Sequence, residues 1–100
     1  MRYWKLYWHH GFPAEPVAIY SEIGPDDGET RRVEEFRGGR TGWADERRTH
    51  GGVFLADVPF GDVSDVSDAE EGNGPSAFTV FVIDREEFDA VWKRATGGAA

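Results

Sequence analysis

The last quarter of the chain constrains the fold most. Residues 76–83, Ser-Ala-Phe-Thr-Val-Phe-Val-Ile, are an almost continuously apolar run of strand-favouring types. Asp84 follows at once, with Glu87 three residues on, an arrangement that caps the start of a helix. Phe88, Val91, Trp92 and Ala95 then recur at helical spacing and form one apolar stripe, which Gly97-Gly98 ends. A strand that hands over to one amphipathic helix needs a sheet to receive that helix. The continuous apolar run suits a central strand covered on both faces.

The rest of the chain supplies the sheet. Residues 2–9 alternate with period two, Trp4, Leu6 and Trp8 on one face and Tyr3, Lys5, Tyr7 and His9 on the other. The tryptophan face reads as core. Residues 17–23 alternate again, and Gly24-Pro25-Asp26-Asp27-Gly28 is a turn cluster. Residues 29–37 read as a third strand in which Val33 and Phe36 sit three apart, so a bulge near Glu34 or Glu35 is expected. Gly38-Gly39 marks a hairpin turn into a return strand over residues 40–44. Residues 45–76 show no long periodic element and carry an acidic stretch at 62–71.

The expected architecture is α+β: a four- to five-stranded, mostly antiparallel sheet with one C-terminal helix packed on one face. A single domain over residues 1–96 is expected, with residues 45–76 as its long irregular middle and 97–100 as a frayed tail. A helix of about three turns, ~16 Å long, cannot roof a whole sheet face. The tyrosine-bearing face of the first strand is therefore the expected open surface.

Composition narrows the chemistry. The chain of 100 residues has no cysteine, which excludes disulfides, thiolate nucleophiles and Cys-ligated metal sites. Its net charge of −8 opposes broad binding to nucleic acid or anionic membrane. No apolar run approaches the ~20 residues that span a bilayer. Residues 1–6 lack the apolar core of a signal peptide, and a cytoplasmic protein is expected.

Each candidate motif has a structural rival. His9 and His10 are adjacent on a strand and point to opposite faces, so they do not chelate one ion together, and no metal or cofactor is expected. Asp62, Asp65 and Asp68 recur every third residue but lack the calcium-loop pattern, and read as a solvated acidic segment. Glu22, Arg31, Arg32, Glu34 and Glu35 read as a cross-strand ion-pair ladder, because neighbouring arginines hold carboxylates ionised. Residues 31–48 hold six basic residues against four acidic ones, with Trp43 among them. That is a weak patch for nucleic acid. No Gly-x-Ser-x-Gly elbow or phosphate loop is present.

Several short signals occur together: Trp8-x-His10, Glu15-Pro16-Val17, Tyr20-Ser21-Glu22, Glu29-x-Arg31-Arg32-Val33-Glu34, Phe36, Gly39-Arg40, Trp43-Ala44, Gly51-Gly52, Leu55, Pro59 and Glu87-Phe88…Trp92. In this order they resemble an uncharacterised family of small bacterial domains of about 90–100 residues. The resemblance runs from Tyr3 to Trp92 and departs over residues 62–76. It implies a stand-alone small domain, with a weak analogy to immunity proteins, and implies no reaction.

The expected function is a non-catalytic protein-binding module with a protein partner, a basic one by charge, or with itself as a homodimer. The alternative is a small-molecule binder or small enzyme with a pocket formed by His10, Glu15, Tyr20 and Glu22, His10 acting as general base. Candidate binding residues are Tyr3, Tyr7, His10, Glu15, Tyr20, Glu22, Arg31 and Trp43, with no catalytic or metal-ligating residue assigned.

Overall fold

A computed structural model describes residues 1–9, 16–56 and 78–97. His10, Glu15, the acidic stretch and the tail at 98–100 lie outside the described residues. The elements are β1 (Arg2–Trp8), β2 (Pro16–Ile23), β3 (Glu29–Phe36), β4 (Thr41–Asp45), β5 (Thr49–His50), β6 (Phe78–Ile83) and α1 (Arg85–Ala95). The strands form one antiparallel sheet in the order β5-β4-β3-β2-β1-β6, with α1 packed against it. The fold class matches expectation. The sixth strand is the two-residue β5, too short to show a period in the sequence.

β1 to β5 follow one another as a meander. Asp27 at φ +66° closes the first tight turn, and Gly28 N–H donates to Asp26 Oδ1 at 3.0 Å. Gly38 and Gly39 at φ +97° and +95° close the β3–β4 turn, a conformation that glycine adopts without steric cost. β6 then returns to the far side of the sheet and pairs with β1, Leu6 opposite Val80 and Trp4 opposite Val82. Among the described residues it is therefore an edge strand, not the central strand its apolar run suggested. Nor is it covered on both faces among the described residues, since Phe81 and Val82, on opposite faces, are both exposed; continuous hydrophobicity reports neither coverage nor how many neighbours complete the ladder.

The expected bulge is displaced. The β2–β3 register shifts between Pro16 and Ala18 and between Glu22 and Ile23, not at Glu34 or Glu35. Val33 and Phe36 need no common face, because both faces of the sheet hold buried side chains. At the second shift, Thr30 is the extra residue between Arg31 and Glu29. Its hydroxyl donates to Glu22 Oε1 at 2.7 Å. The shift also separates Glu29 from Arg31, and Glu29 instead accepts from Ala56 N–H at 2.7 Å and pairs with Arg32 at 3.2 Å.

Asp84 caps α1 as expected, accepting the Glu87 N–H at 2.8 Å. Glu86 and Glu87 lie in the first turn and Lys93 and Arg94 in the last, both favourable to the helix dipole. The face that α1 covers is the main correction. Phe88, Val91 and Trp92 pack on Tyr3, Ala18, Tyr20 and Val33, with Trp43, Ile83 and Ala95 at the margin. The helix lies on the tyrosine face, leaving Tyr3 only 7% and Tyr20 5% exposed. Both sides of β1 are aromatic, so alternation divides its residues into two sets without ranking them. Trp4, on the opposite face, is buried as well.

Val53 and Ala44 are buried on that opposite face. A Cβ on Gly42 would stand 2.6 Å from Val53 Cγ2 and 2.9 Å from the His50 carbonyl oxygen, so the backbone approach there requires glycine. No helix among the described residues is long and apolar enough to cross a membrane.

Candidate functional site

The antiparallel register lays side chains out in rows across the sheet. Ile83, Tyr3, Glu22, Arg31 and Asp45 form one row, on successive strands from β6 to β4. Sequence reasoning assigned Tyr3, Glu22 and Arg31 to binding, and the fold makes them lateral neighbours. Arg31 Nε donates to Glu22 Oε1 at 2.9 Å and Arg31 Nη2 to Oε2 at 2.5 Å. The Nη2 atom also donates to Asp89 Oδ1 of α1 at 2.9 Å. Asp89 in turn holds Arg85 Nε at 3.4 Å. The guanidinium of Arg31 lies 4.8 Å from the Phe88 ring centroid and 5.2 Å from that of Trp92. The planar fork of arginine suits both contacts.

This row meets α1 in an open cavity of about 780 Å³ lined by Glu22, Arg31, Arg85, Asp89, Trp92 and Lys93. Its volume lies in the ~300–1,000 Å³ range of small-molecule sites. Burial alone would raise the Glu22 carboxyl, but hydrogen bonds from Arg31 and Thr30 and the Arg31 charge outweigh it and hold it below its ordinary value. Burial and the bond to Glu22 raise the Tyr3 phenol. A carboxyl shifted down and a phenol shifted up are both moved away from neutrality, which makes Glu22 and Tyr3 poor proton carriers there. The cluster is thus an ion pair with hydrogen-bonding capacity; the expected cross-strand ladder is present at Glu22–Arg31, whereas Arg32 pairs with Glu29 and Glu34 along its own strand and Glu35 with Arg94 of α1.

The other candidates are scattered. Tyr20 donates to Glu35 Oε1 at 3.2 Å, in the next row, and lies beneath Lys5 Nζ at 5.5 Å. Trp43 stacks on His50 at 5.9 Å and meets Trp92 edge-on at 5.4 Å. Arg48 lies 5.1 Å from its ring. Tyr7 contacts Phe81 edge-on at 6.0 Å. His9 shares a hydrogen bond with Thr79 Oγ1 at 2.7 Å. Among the described residues, no group of three or more His, Asp or Glu could hold a metal ion.

Sequence reasoning missed Asp89, which lies 58 positions from Arg31. The signal was present: Arg85, Asp89 and Lys93 recur every four residues beside the apolar stripe of α1. It also missed the outer edge of β6. Among the described residues β6 pairs with β1 alone. Phe81 is 46% exposed on the helix-bearing face and Val82 69% on the other. A second cavity of about 370 Å³ sits at this end of the sheet, with Trp4, Val82 and Ile83 in its wall.

No curated protein and no solved structure matches the chain. One family model does, over residues 2–97, nearly the whole length. The chain therefore belongs to the DUF6881 family, a domain of unknown function.

Proposed function

We propose that this domain is a non-catalytic protein-binding module, and that it captures an extended segment of a basic partner along the outer edge of β6. The open edge carries the reading. An uncharged strand, Phe-Thr-Val-Phe-Val-Ile, ends the sheet with one side of its backbone unpaired among the described residues. Such an edge is a template for another strand, and soluble proteins normally blunt it with charge, proline or a bulge. The six residues of β6 carry none of the three. An added strand would gain ladder hydrogen bonds from the backbone, and its alternate side chains would meet Phe81 on one face and Val82 on the other. The cavity beside Val82 offers room for one anchoring side chain.

Charge supports a basic partner. The net charge of −8 steers a cationic protein towards the domain and repels an anionic one. Arg2, near the same edge, is tied to Asp27 at 2.6 Å. The immunity-protein analogy agrees with this description. Tyr3 and Tyr20 lie in the core and are not part of the proposed surface, whereas Tyr7 flanks Phe81.

Parallel affinity capture with the wild-type chain and Val82→Lys tests the reading. The expected result is a basic protein retained by the wild type in a salt-sensitive manner and lost by the variant. Light scattering of the isolated chain excludes self-pairing as the use of the edge. A monodisperse monomer that retains nothing contradicts the proposal, as does a partner that Val82→Lys holds equally well.

A further inference from the structure

The cavity between α1 and the first sheet row has a charge pattern of its own, although Arg85 and Met1 also line the cavity beside Val82. Its two carboxylates, Glu22 and Asp89, are already occupied by Arg31 and Arg85. Its cations are not fully used. Arg31 spends Nε and Nη2 on these carboxylates, and its Nη1 has no partner among the described residues. Arg85 engages Asp89 only through Nε and is largely exposed. Lys93, also exposed, makes no ion pair among the described residues. Three cations against two anions leave the lining at +1 on a chain of −8. The remaining walls, Trp92 and Met1, are apolar.

We infer that this cavity binds a small organic oxyanion, a carboxylate or phosphate carried on a ring or short apolar body. The anionic group sits among Arg31 Nη1, Arg85 and Lys93, and the body lies against Trp92 and Met1. Arginine offers paired N–H donors matched to the oxygens of either anion, and charged hydrogen bonds of this kind are the strong ones. The ion pair to Glu22 pins the Arg31 side chain before any ligand arrives, which lowers the ordering cost of binding. Distant acidic side chains are screened over ~8 Å at physiological salt, so the local lining decides the sign. The +4 spacing of Arg85, Asp89 and Lys93 gives α1 a second task beside packing: it presents a cationic rim to one side of its apolar stripe.

The test follows the Trp92 indole N–H in nitrogen-15 spectra, assigned with Trp92→Phe, during titration with benzoate and with phenyl phosphate. Arg31 is integral to the buried ion pair, so the exposed pair Arg85→Ala/Lys93→Ala serves as the variant. The expected result is a saturable shift of the Trp92 signal in the millimolar range with at least one probe. The stronger probe names the anion, and the double variant weakens it about tenfold or more, about 1.4 kcal/mol per tenfold. Absence of a saturable shift with both probes overturns the assignment. Equal affinity in the double variant overturns it too.

Discussion

Tyr3 and Tyr7 stand on the same face of the same strand, four residues or ~13 Å apart, and meet opposite fates. Tyr3 is 7% exposed under Phe88, with its ring 5.3 Å away. Tyr7 is 36% exposed beside Phe81. The difference is the reach of α1. Its 11 residues extend ~16 Å and touch β1 through β4, burying Tyr3 and the core beneath while leaving the Glu22–Arg31 pair at the wall of an open cavity. Tyr7, Phe81 and the outer edge of β6 fall beyond it. One region is held by packing and by a buried ion pair; the other keeps apolar surface exposed and, among the described residues, a strand edge with no second neighbour.

The contrast predicts unequal responses to equal chemistry. Phe88→Ala removes a fully buried ring from the sealed region and costs about 4 kcal/mol in chemical denaturation, whereas Phe81→Ala costs less than about 1. Equal losses at the two positions would break the distinction. Glu22→Gln takes from Arg31 the more buried of its two carboxylate partners and costs about 3 kcal/mol. Gly42→Ala forces a methyl group against Val53 and the His50 carbonyl and costs about 2 kcal/mol, roughly a 10 °C fall in Tm for a domain of this size.

Acid sharpens the same distinction. Glu22 titrates in the folded chain below its ordinary value near 4.5, since bonds from Arg31 and Thr30 outweigh the opposing effect of burial. Its contribution to stability is complete above that ordinary value and is lost as pH falls through the lower folded value. Asp45, lowered by the Arg47 and Arg48 N–H groups against the effect of burial, acts in the same direction. Wild-type stability therefore declines below pH 4.5, and the Glu22→Gln variant declines less, as read from denaturation midpoints at a series of pH values. The smallest expected effect is on the open edge: Val82→Lys changes stability by less than about 0.5 kcal/mol, which makes it a clean probe of binding.

Most of the architecture was legible. Turn chemistry at 24–28 and 38–39, alternation in residues 2–9 and 17–23, and the Asp84–Glu87 cap each specify local structure through short-range physics, and the structure contains them. The choice of face was not legible. Tyrosine is apolar along its ring and polar at its tip, so Tyr3 and Tyr20 suit a core only once Glu22 and Glu35 reach their hydroxyls. Those partners lie on other strands, and the register that brings them together is set by turns and by the bulge at Thr30. The strand order was equally hidden, since β6 is equally apolar at an edge or at the centre. Of the candidate site, Glu22 and Arg31 were placed in one charged ladder without their pairing, and Asp89 awaited the return of the helix over the sheet.

Amide hydrogen exchange in the isolated monomer tests the open edge most directly. Residues of β6 whose N–H groups point away from β1 are expected to exchange without protection, while β1 and β2 amides stay protected on both sides. Uniform protection along residues 78–83 in the lone chain would mean that the edge is already covered, and would contradict the account.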